Sequence, residues 1–313
     1  MTRYRSQLPQ LSGDLFITDG GIETTLIFLD GLELPSFAAF VLLESDQGFK
    51  ALDGYFRRYA DLARKYRTGF ILESPTWRAS LDWATKLGYT DQALAEFNRK
   101  AIELLVRIRN EYETPETKVV VSGCVGPRGD GYKASAKMSV EGAQDYHRRQ
   151  IEVFRDSDAD MIAAITMNYV EEAIGIAQEA RAAKMPSAIS FTVETDGRLP
   201  AGETIEDAIE KVDAATDAAP VYYMINCAHP THFKDALETG KSWLGRIRGI
   251  RANASTKSHA ELDQAQELDA GDPCELATQY RDLVNRIPTL NVLGGCCGTD
   301  HRHIEEICKI LRK

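Results

Sequence analysis

The feature that most constrains this chain is one local pattern, repeated. A short apolar run ends at glycine or a polar residue, and a stretch with apolar residues at three- and four-residue steps follows. The runs are residues 15–18, 69–72, 118–121, 161–165, 188–193, 221–227, 248–253 and 290–296. Short β-branched and apolar runs bounded by turn residues read as strands. Between them the helical period is clear. Residues 46–67 place Leu52, Tyr55, Phe56, Tyr59, Leu62 and Tyr66 on one face, and 91–112 do the same with Leu94, Phe97, Ala101, Leu105 and Ile108. Helices are also expected at 139–157, up to Lys184, from Thr204 and from Asp300, the last with an apolar stripe of Ile304, Ile307, Cys308 and Leu311.

Strands alternating with helices imply parallel pairing through helical crossovers. Eight units are the number that closes a (β/α)8 TIM barrel. The alternative is an open, doubly wound sheet. Glycine-rich and polar segments follow strand after strand here rather than clustering behind the first, which favours the barrel. The expectation is an α/β chain with one barrel domain over residues 1–313, a length that such barrels, commonly ~250 residues or more, can span.

In a barrel of this kind the active site lies at the C-terminal ends of the strands. That rule gathers Asp19, Thr76, the 122–131 loop, Thr166, Asn253, Cys227, Cys296 and Cys297 around one mouth. The eighth run ends in Gly294-Gly295-Cys296-Cys297-Gly298-Thr299, and the sixth ends in Asn226-Cys227. Neighbouring side chains on a strand point to opposite faces, so both sulfurs of the Cys-Cys pair can reach one point only where glycine lets the strand break. The three cysteines can be a metal clamp, a vicinal redox pair, or buried small side chains. The barrel favours the clamp. Catalytic zinc takes three protein ligands and keeps one position open.

A net charge of −10 argues against non-specific nucleic-acid binding, which needs a basic surface. Six cysteines are too few for a disulfide scaffold in a chain of this length and suggest a reducing, cytoplasmic setting. No apolar leader segment opens the sequence, and no run approaches the roughly 18 apolar residues of a membrane span.

Three thiolates on zinc leave a site of net charge −1, electron-rich rather than strongly Lewis-acidic. A thiol that takes the open position is deprotonated there, and thiolate is the nucleophile. Attack of sulfur on an electrophilic carbon fits, so alkyl transfer fits. Hydrolysis fits less well, because no His-Glu-x-x-His or comparable motif is present.

At these residues the chain resembles the homocysteine S-methyltransferase family, which includes betaine- and S-methylmethionine-dependent enzymes. Asp19-Gly20-Gly21, Gly126-Pro127, Asn226-Cys227 and Gly294-Gly295-Cys296-Cys297-Gly298-Thr299 carry the resemblance, in order and over nearly the whole chain. It implies a (β/α)8 barrel, zinc on Cys227, Cys296 and Cys297, and methyl transfer from a small sulfonium or ammonium donor to homocysteine, giving methionine. It also implies that Asp19 and the amides of Gly20 and Gly21 hold the amino-acid end. Two positions depart from the family pattern. Ile165, followed by Thr166, stands where a glutamate usually binds the substrate amino group, and Thr25 stands where the first loop usually has another. Glu23 is a candidate to substitute for one of the lost carboxylates. The departures leave open a different thiol acceptor, a protein-borne methyl donor, or a zinc- or ligand-binding barrel without transfer activity. No cobalamin-binding motif is present, and no long C-terminal extension of the betaine type, so a tetramer need not form; the oligomeric state is open.

Other residues carry two readings each. Trp77, Tyr132 and Tyr169 can form an aromatic box for a methylated cation or pack the rim. His229 can carry a proton, ligate a metal, or start the helix at Pro230. Asn253 can hold substrate or cap a turn. His147, His301 and His303 read as helix-surface residues and Cys308 as core; Cys124 and Cys274 receive no role.

Overall fold

The apolar runs pair as parallel strands in a computed structural model that describes residues 2–135, 137–237, 240–265 and 267–312. They are β1 (Phe16–Ile17), β2 (Gly69–Glu73), β3 (Val119–Val125), β4 (Met161–Met167), β5 (Ser187–Phe191), β6 (Tyr222–Asn226), β7 (Ile247–Ala252) and β8 (Val292–Gly295). Each strand lies beside its sequence neighbours, and β1 pairs with β8 through Phe16–Val292 and Ile17–Leu293, so the barrel closes.

The two-residue period of a strand divides its side chains between two cores. Phe16, Ile71, Val120, Met161, Ala163, Ala188, Tyr222, Met224 and Val292 fill the lumen. Phe70, Leu72, Val119, Val121, Ile162, Ala164, Tyr223 and Ile225 pack in the larger outer core with helix residues such as Phe56, Phe97 and Ile304. The longer helices are Asp46–Tyr66, Asp91–Tyr112, Val140–Arg155, Val170–Ala182, Ile205–Thr216, Pro273–Arg286 and His301–Leu311. Several start where the sequence offers a cap. Ser45, Thr90, Ser139, Thr204 and Asp272 each accept a hydrogen bond from a backbone N–H in the first turn.

The regular alternation breaks in one place. Between β6 and β7 the described residues make a four-residue helix, Pro230–Phe233, and a 3-10 turn, Ser242–Arg246. The segment buries Phe233, Leu237, Trp243 and Leu244 but has no continuous apolar stripe at helical spacing.

Two histidines are not on the surface as the helical wheel suggested. His147 is buried with Nε2 2.9 Å from Glu172 Oε1. His303 is buried at the start of the last helix, where it closes a capping box with Asp300 and its Nε2 lies 2.8 Å from the Ala270 carbonyl. Only His301 is exposed, and Cys308 lies in the core as expected.

The N-terminal end of the barrel is plugged by the chain's first residues. Tyr4 and Leu8 pack against the lumen residues, and the Arg5 guanidinium donates to the carbonyls of Arg155, Ser157 and Ala159. Asp160, just before β4, organises this end. One oxygen accepts from the Arg3 and Tyr4 amides, both at 2.8 Å. The other accepts from Val121 N at 3.0 Å and from Arg109 Nη1 at 2.8 Å. Arg109 is 2% exposed, and breaking a buried pair costs about 3–5 kcal/mol because it strands the remaining charge. Asp160→Ala is therefore expected to lower unfolding free energy by about that amount, read from urea denaturation; a midpoint within error of wild type would contradict this account.

Candidate functional site

Above the apolar lumen, at the C-terminal ends of the strands, the inward positions turn polar. Arg251, near the end of β7, is buried across the barrel axis. Its Nη2 meets Asp19 Oδ1 at 2.6 Å, its Nη1 meets Glu73 Oε2 at 2.8 Å, and its Nε donates to the Gly295 carbonyl at 3.2 Å. The second Asp19 oxygen accepts from the Tyr55 hydroxyl at 3.0 Å. Burial raises both carboxyl groups from their ordinary values and the Arg251 charge opposes the shift. Burial works against the Arg251 charge as well, but Asp19 and Glu73 outweigh it and raise its pKa.

Strand register delivers the cysteines to this layer. Asn226, Arg251 and Gly294 lie side by side on β6, β7 and β8. The next residue of β6 is Cys227, and Cys296 follows directly after β8. Cys227 adopts a left-handed backbone with φ of 57°, a conformation that costs a non-glycine residue free energy and persists only when its surroundings hold it. Here its N–H donates to the Arg251 carbonyl at 3.0 Å. Its carbonyl accepts from Asn253 Nδ2 at 3.0 Å and lies 2.5 Å from His259 Nε2. One residue earlier, the Asn226 side chain accepts from Thr166 N and Ser190 Oγ and donates to Thr166 Oγ1, which ties β4, β5 and β6 together. After the Cys-Cys pair, Gly298 turns the chain at φ of 80°.

The sulfurs converge. Cys227 Sγ is 2.9 Å from Cys296 Sγ and 3.6 Å from Cys297 Sγ, and all three lie within 4.8 Å of one another. Zinc–thiolate bonds of about 2.3 Å in a tetrahedron separate sulfurs by ~3.8 Å, so the Cys227–Cys297 spacing already fits. Cys296 need withdraw by only ~1 Å. Hydrogen bonds from Cys227 and Cys297 pull the Cys296 thiol well below its ordinary value, helped by Arg251, while the Cys227 thiol is pushed up. Thiolates this close repel one another, and a soft divalent cation removes that conflict. The donor set fits a metal with a preference for sulfur. Tyr132 borders it, with Oη 3.0 Å from Cys227 Sγ and 3.9 Å from Cys297 Sγ, and its ring leans on His259 at 4.1 Å between centroids.

A cavity of about 450 Å³ opens over the sulfurs. Asp19, Gly20, Gly21, Glu23, Trp77, Thr166 and Asn253 line it together with the three cysteines. Burial pushes the Glu23 carboxyl up to about 7, with Cys296 and Asp19 adding to the shift. Ile165 also faces the cavity. Thr25 does not: it is buried with its hydroxyl unpartnered among the described residues.

Several expectations change. Thr76 is not a cavity residue. Its hydroxyl is buried between Ser74 Oγ and the Cys124 carbonyl, where it fastens β2 to β3. The Gly21 amide is spent on the Thr299 carbonyl at 3.0 Å, and a side chain at Gly21 would strike the Cys296 carbonyl. His229 caps the Pro230–Phe233 helix and lies outside both the sulfur cluster and the cavity lining, and burial lowers it to about 4. Tyr169 packs away from the cavity with its hydroxyl on Met138 N. Cys124 touches the cavity but stands apart from the sulfur trio.

Arg251, Glu73, His259, Arg78 and Trp83 are site residues that the sequence reading did not assign. Glu73 and Arg251 carried a signal, since each is a charge at the end of a strand otherwise destined for burial.

Comparison with known proteins agrees with this geometry. The chain is similar to homocysteine S-methyltransferase 1 of Arabidopsis thaliana, at 23% identity over 96% of this chain and 94% of that protein. It is similar to the homocysteine S-methyltransferase of Escherichia coli strain K12, at 26% identity over 69% of this chain and 73% of that one. Among solved structures it resembles the metallated form of the E. coli homocysteine methyltransferase MmuM. The TM-score is 0.72 at 20% identity, covering 95% of this chain and 96% of that one. The family profile described as homocysteine S-methyltransferase matches residues 16–311. With a closed parallel barrel, three converging sulfurs at its mouth and a family match over nearly its whole length, the chain belongs to the homocysteine S-methyltransferase family.

Proposed function

We propose that this protein is a zinc-dependent methyltransferase that moves a methyl group from a small sulfonium or ammonium donor to the sulfur of homocysteine, forming methionine. The observation that carries this reading is the sulfur triangle of Cys227, Cys296 and Cys297 at the floor of a substrate-sized cavity. These three residues would hold the metal, and the metal, when bound, would supply a site where a substrate thiol gives up its proton.

The rest of the work falls to the chain. The Arg251 cluster and the bonded Cys227 carbonyl hold the backbone that carries the sulfurs, so that ligation asks only for the small shift of Cys296. Burial pushes the Tyr132 phenol well above its ordinary value, so it stays protonated beside Cys227 Sγ and can donate a hydrogen bond to sulfur. Asp19, Glu23 and Glu73 are among the carboxyl groups that line the cavity; Arg251 already engages Asp19 and Glu73, which makes Glu23 the first candidate for a substrate ammonium group. Trp77, Thr166 and Asn253 shape the remaining wall. The barrel acts as one homocysteine-binding unit across residues 1–313. All six cysteines are unpaired, which suits a reducing cytoplasm. Among the described residues no helix is long and apolar enough to cross a membrane.

Purified protein is expected to carry about one zinc per chain, measured by elemental analysis. Cys297→Ser is expected to lose the metal and to cut methionine formation by more than the roughly 10–100-fold typical of changes to residues that only orient ligands. The assay offers homocysteine with a panel of sulfonium and ammonium donors; metal-free wild type that retains full transfer would refute the reading. Ligation by three sulfurs also requires thiol protons to leave. Apparent zinc affinity is expected to rise with pH across about 6 to 8, with proton release seen by calorimetry in buffers of different ionisation enthalpy. Uptake without proton release would argue against three thiolates.

A further inference from the structure

Arg78 lies in the segment between β2 and the short helix Leu81–Lys86, in the wall of the cavity that contains the three sulfurs. It is 9% exposed. Its guanidinium carbon sits 4.2 Å from the Trp77 ring centroid and 3.7 Å from the Trp83 ring centroid. Trp77 is in turn fixed by its Nε1, which donates to the Ile165 carbonyl at 3.1 Å. A planar cation held between two indole faces is oriented and largely desolvated.

Its hydrogen bonding is nearly empty. Of five N–H donors, one at Nη1 reaches the Gly129 carbonyl at 3.1 Å, and Nε is buried with no partner. Among the described residues no carboxylate oxygen lies within 4.0 Å of it. The acids whose charge reaches it, Asp130 and Glu23, stop short of contact. The contrast with the other buried arginines is direct. Arg109 and Arg251 are as deeply buried, and each is closed by a carboxylate at 2.8 Å or less. A buried guanidinium without an anion is unfavourable in isolation, and its fork matches the two oxygens of a carboxylate.

We propose that Arg78 is a specificity-determining residue of the barrel mouth that binds the carboxylate of an amino-acid substrate through paired N–H donors. The assignment rests on the methyl-transfer reading, in which both the acceptor and a sulfonium donor can be amino acids. The Trp77 face, considered for a substrate cation, is then taken by the protein's own cation, which presents an anion-binding fork to the cavity.

The test uses the full-length, zinc-loaded protein and reads binding by tryptophan fluorescence, since Arg78 rests on two of the chain's three tryptophans. Wild type, Arg78→Gln and Arg78→Lys are titrated with homocysteine and with 3-aminopropanethiol, which lacks the carboxylate. They are also titrated with S-methylmethionine and with trimethylsulfonium, which again lacks it. Arg78→Gln is expected to weaken a carboxylate-bearing ligand roughly thirty-fold or more and to leave its carboxylate-free counterpart unchanged. Arg78→Lys keeps the charge without the fork; it is expected to lose less, and it carries the test if the Gln variant melts early. Selective loss with homocysteine assigns the contact to the acceptor, and selective loss with S-methylmethionine assigns it to the donor. Equal loss with and without the carboxylate, or no loss, overturns the proposal. If wild type binds neither amino acid, the methyl-transfer reading fails on its own, and butyrate replaces them as the probe. Butyrate binding that disappears in Arg78→Gln then supports the assignment; absent or unaltered butyrate binding overturns it.

Discussion

One buried cation sets the architecture of the mouth. Arg251 reaches from β7 to Glu73 at the end of β2, to Asp19 just past β1, and to the Gly295 carbonyl of β8. It therefore spans the lumen and joins the first strands to the last. Buried ion pairs are weak evidence for stability, because desolvation can equal or exceed the attraction. Their value here is positional. The carbonyl of Arg251 holds the Cys227 amide, and its side chain holds the carbonyl of the residue before Cys296. The sulfur spacing thus depends on a residue that contacts no proposed substrate group.

Charge balance explains why the surroundings of the site look as they do. Asp19 and Glu73 share one guanidinium, and a divalent ion held by three thiolates would add a further negative charge. Such a pocket repels anions unless a cation is placed in its wall. Arg78, clamped between indoles and lacking a carboxylate partner among the described residues, is a cation in that wall. Ile165 adds an apolar group to the cavity and Thr25 lies outside its lining, so neither contributes charge to the pocket.

Much of this was legible from residue order. Strand runs, helix faces and the barrel follow from periodicity, which is a local property, and strand-end placement follows from the barrel. Hence Cys227, Cys296 and Cys297 could be brought together before any coordinates. What stayed hidden depends on three-dimensional neighbours. Thr76 sits at a strand end like the true cavity residues, but its hydroxyl found a carbonyl across β3. His147 and His303 lie on helices with apolar stripes, and each is drawn inward by a polar partner from elsewhere in the chain, Glu172 and the Ala270 carbonyl, that a helical wheel does not contain. The crossover from β6 to β7 was counted as a strand–helix unit because its neighbours were. Its own apolar residues are too sparse to form one. Arg78 was passed over because a Trp-Arg pair is unremarkable until Trp83 closes on the other side.

The seam of the barrel has a consequence for how the protein is made. β1 is only two residues long and pairs with β8, nearly the full chain away. A ribosome releases Asp19 early, whereas Arg251 and the Cys-Cys pair emerge more than two hundred residues later. Contacts of such wide sequence separation form late. The polar ring and the sulfur trio both need residues from β6 to β8, so neither is complete until those strands have joined the early ones. A chain cut before β8 would carry one of the three sulfurs and so lack the donor set.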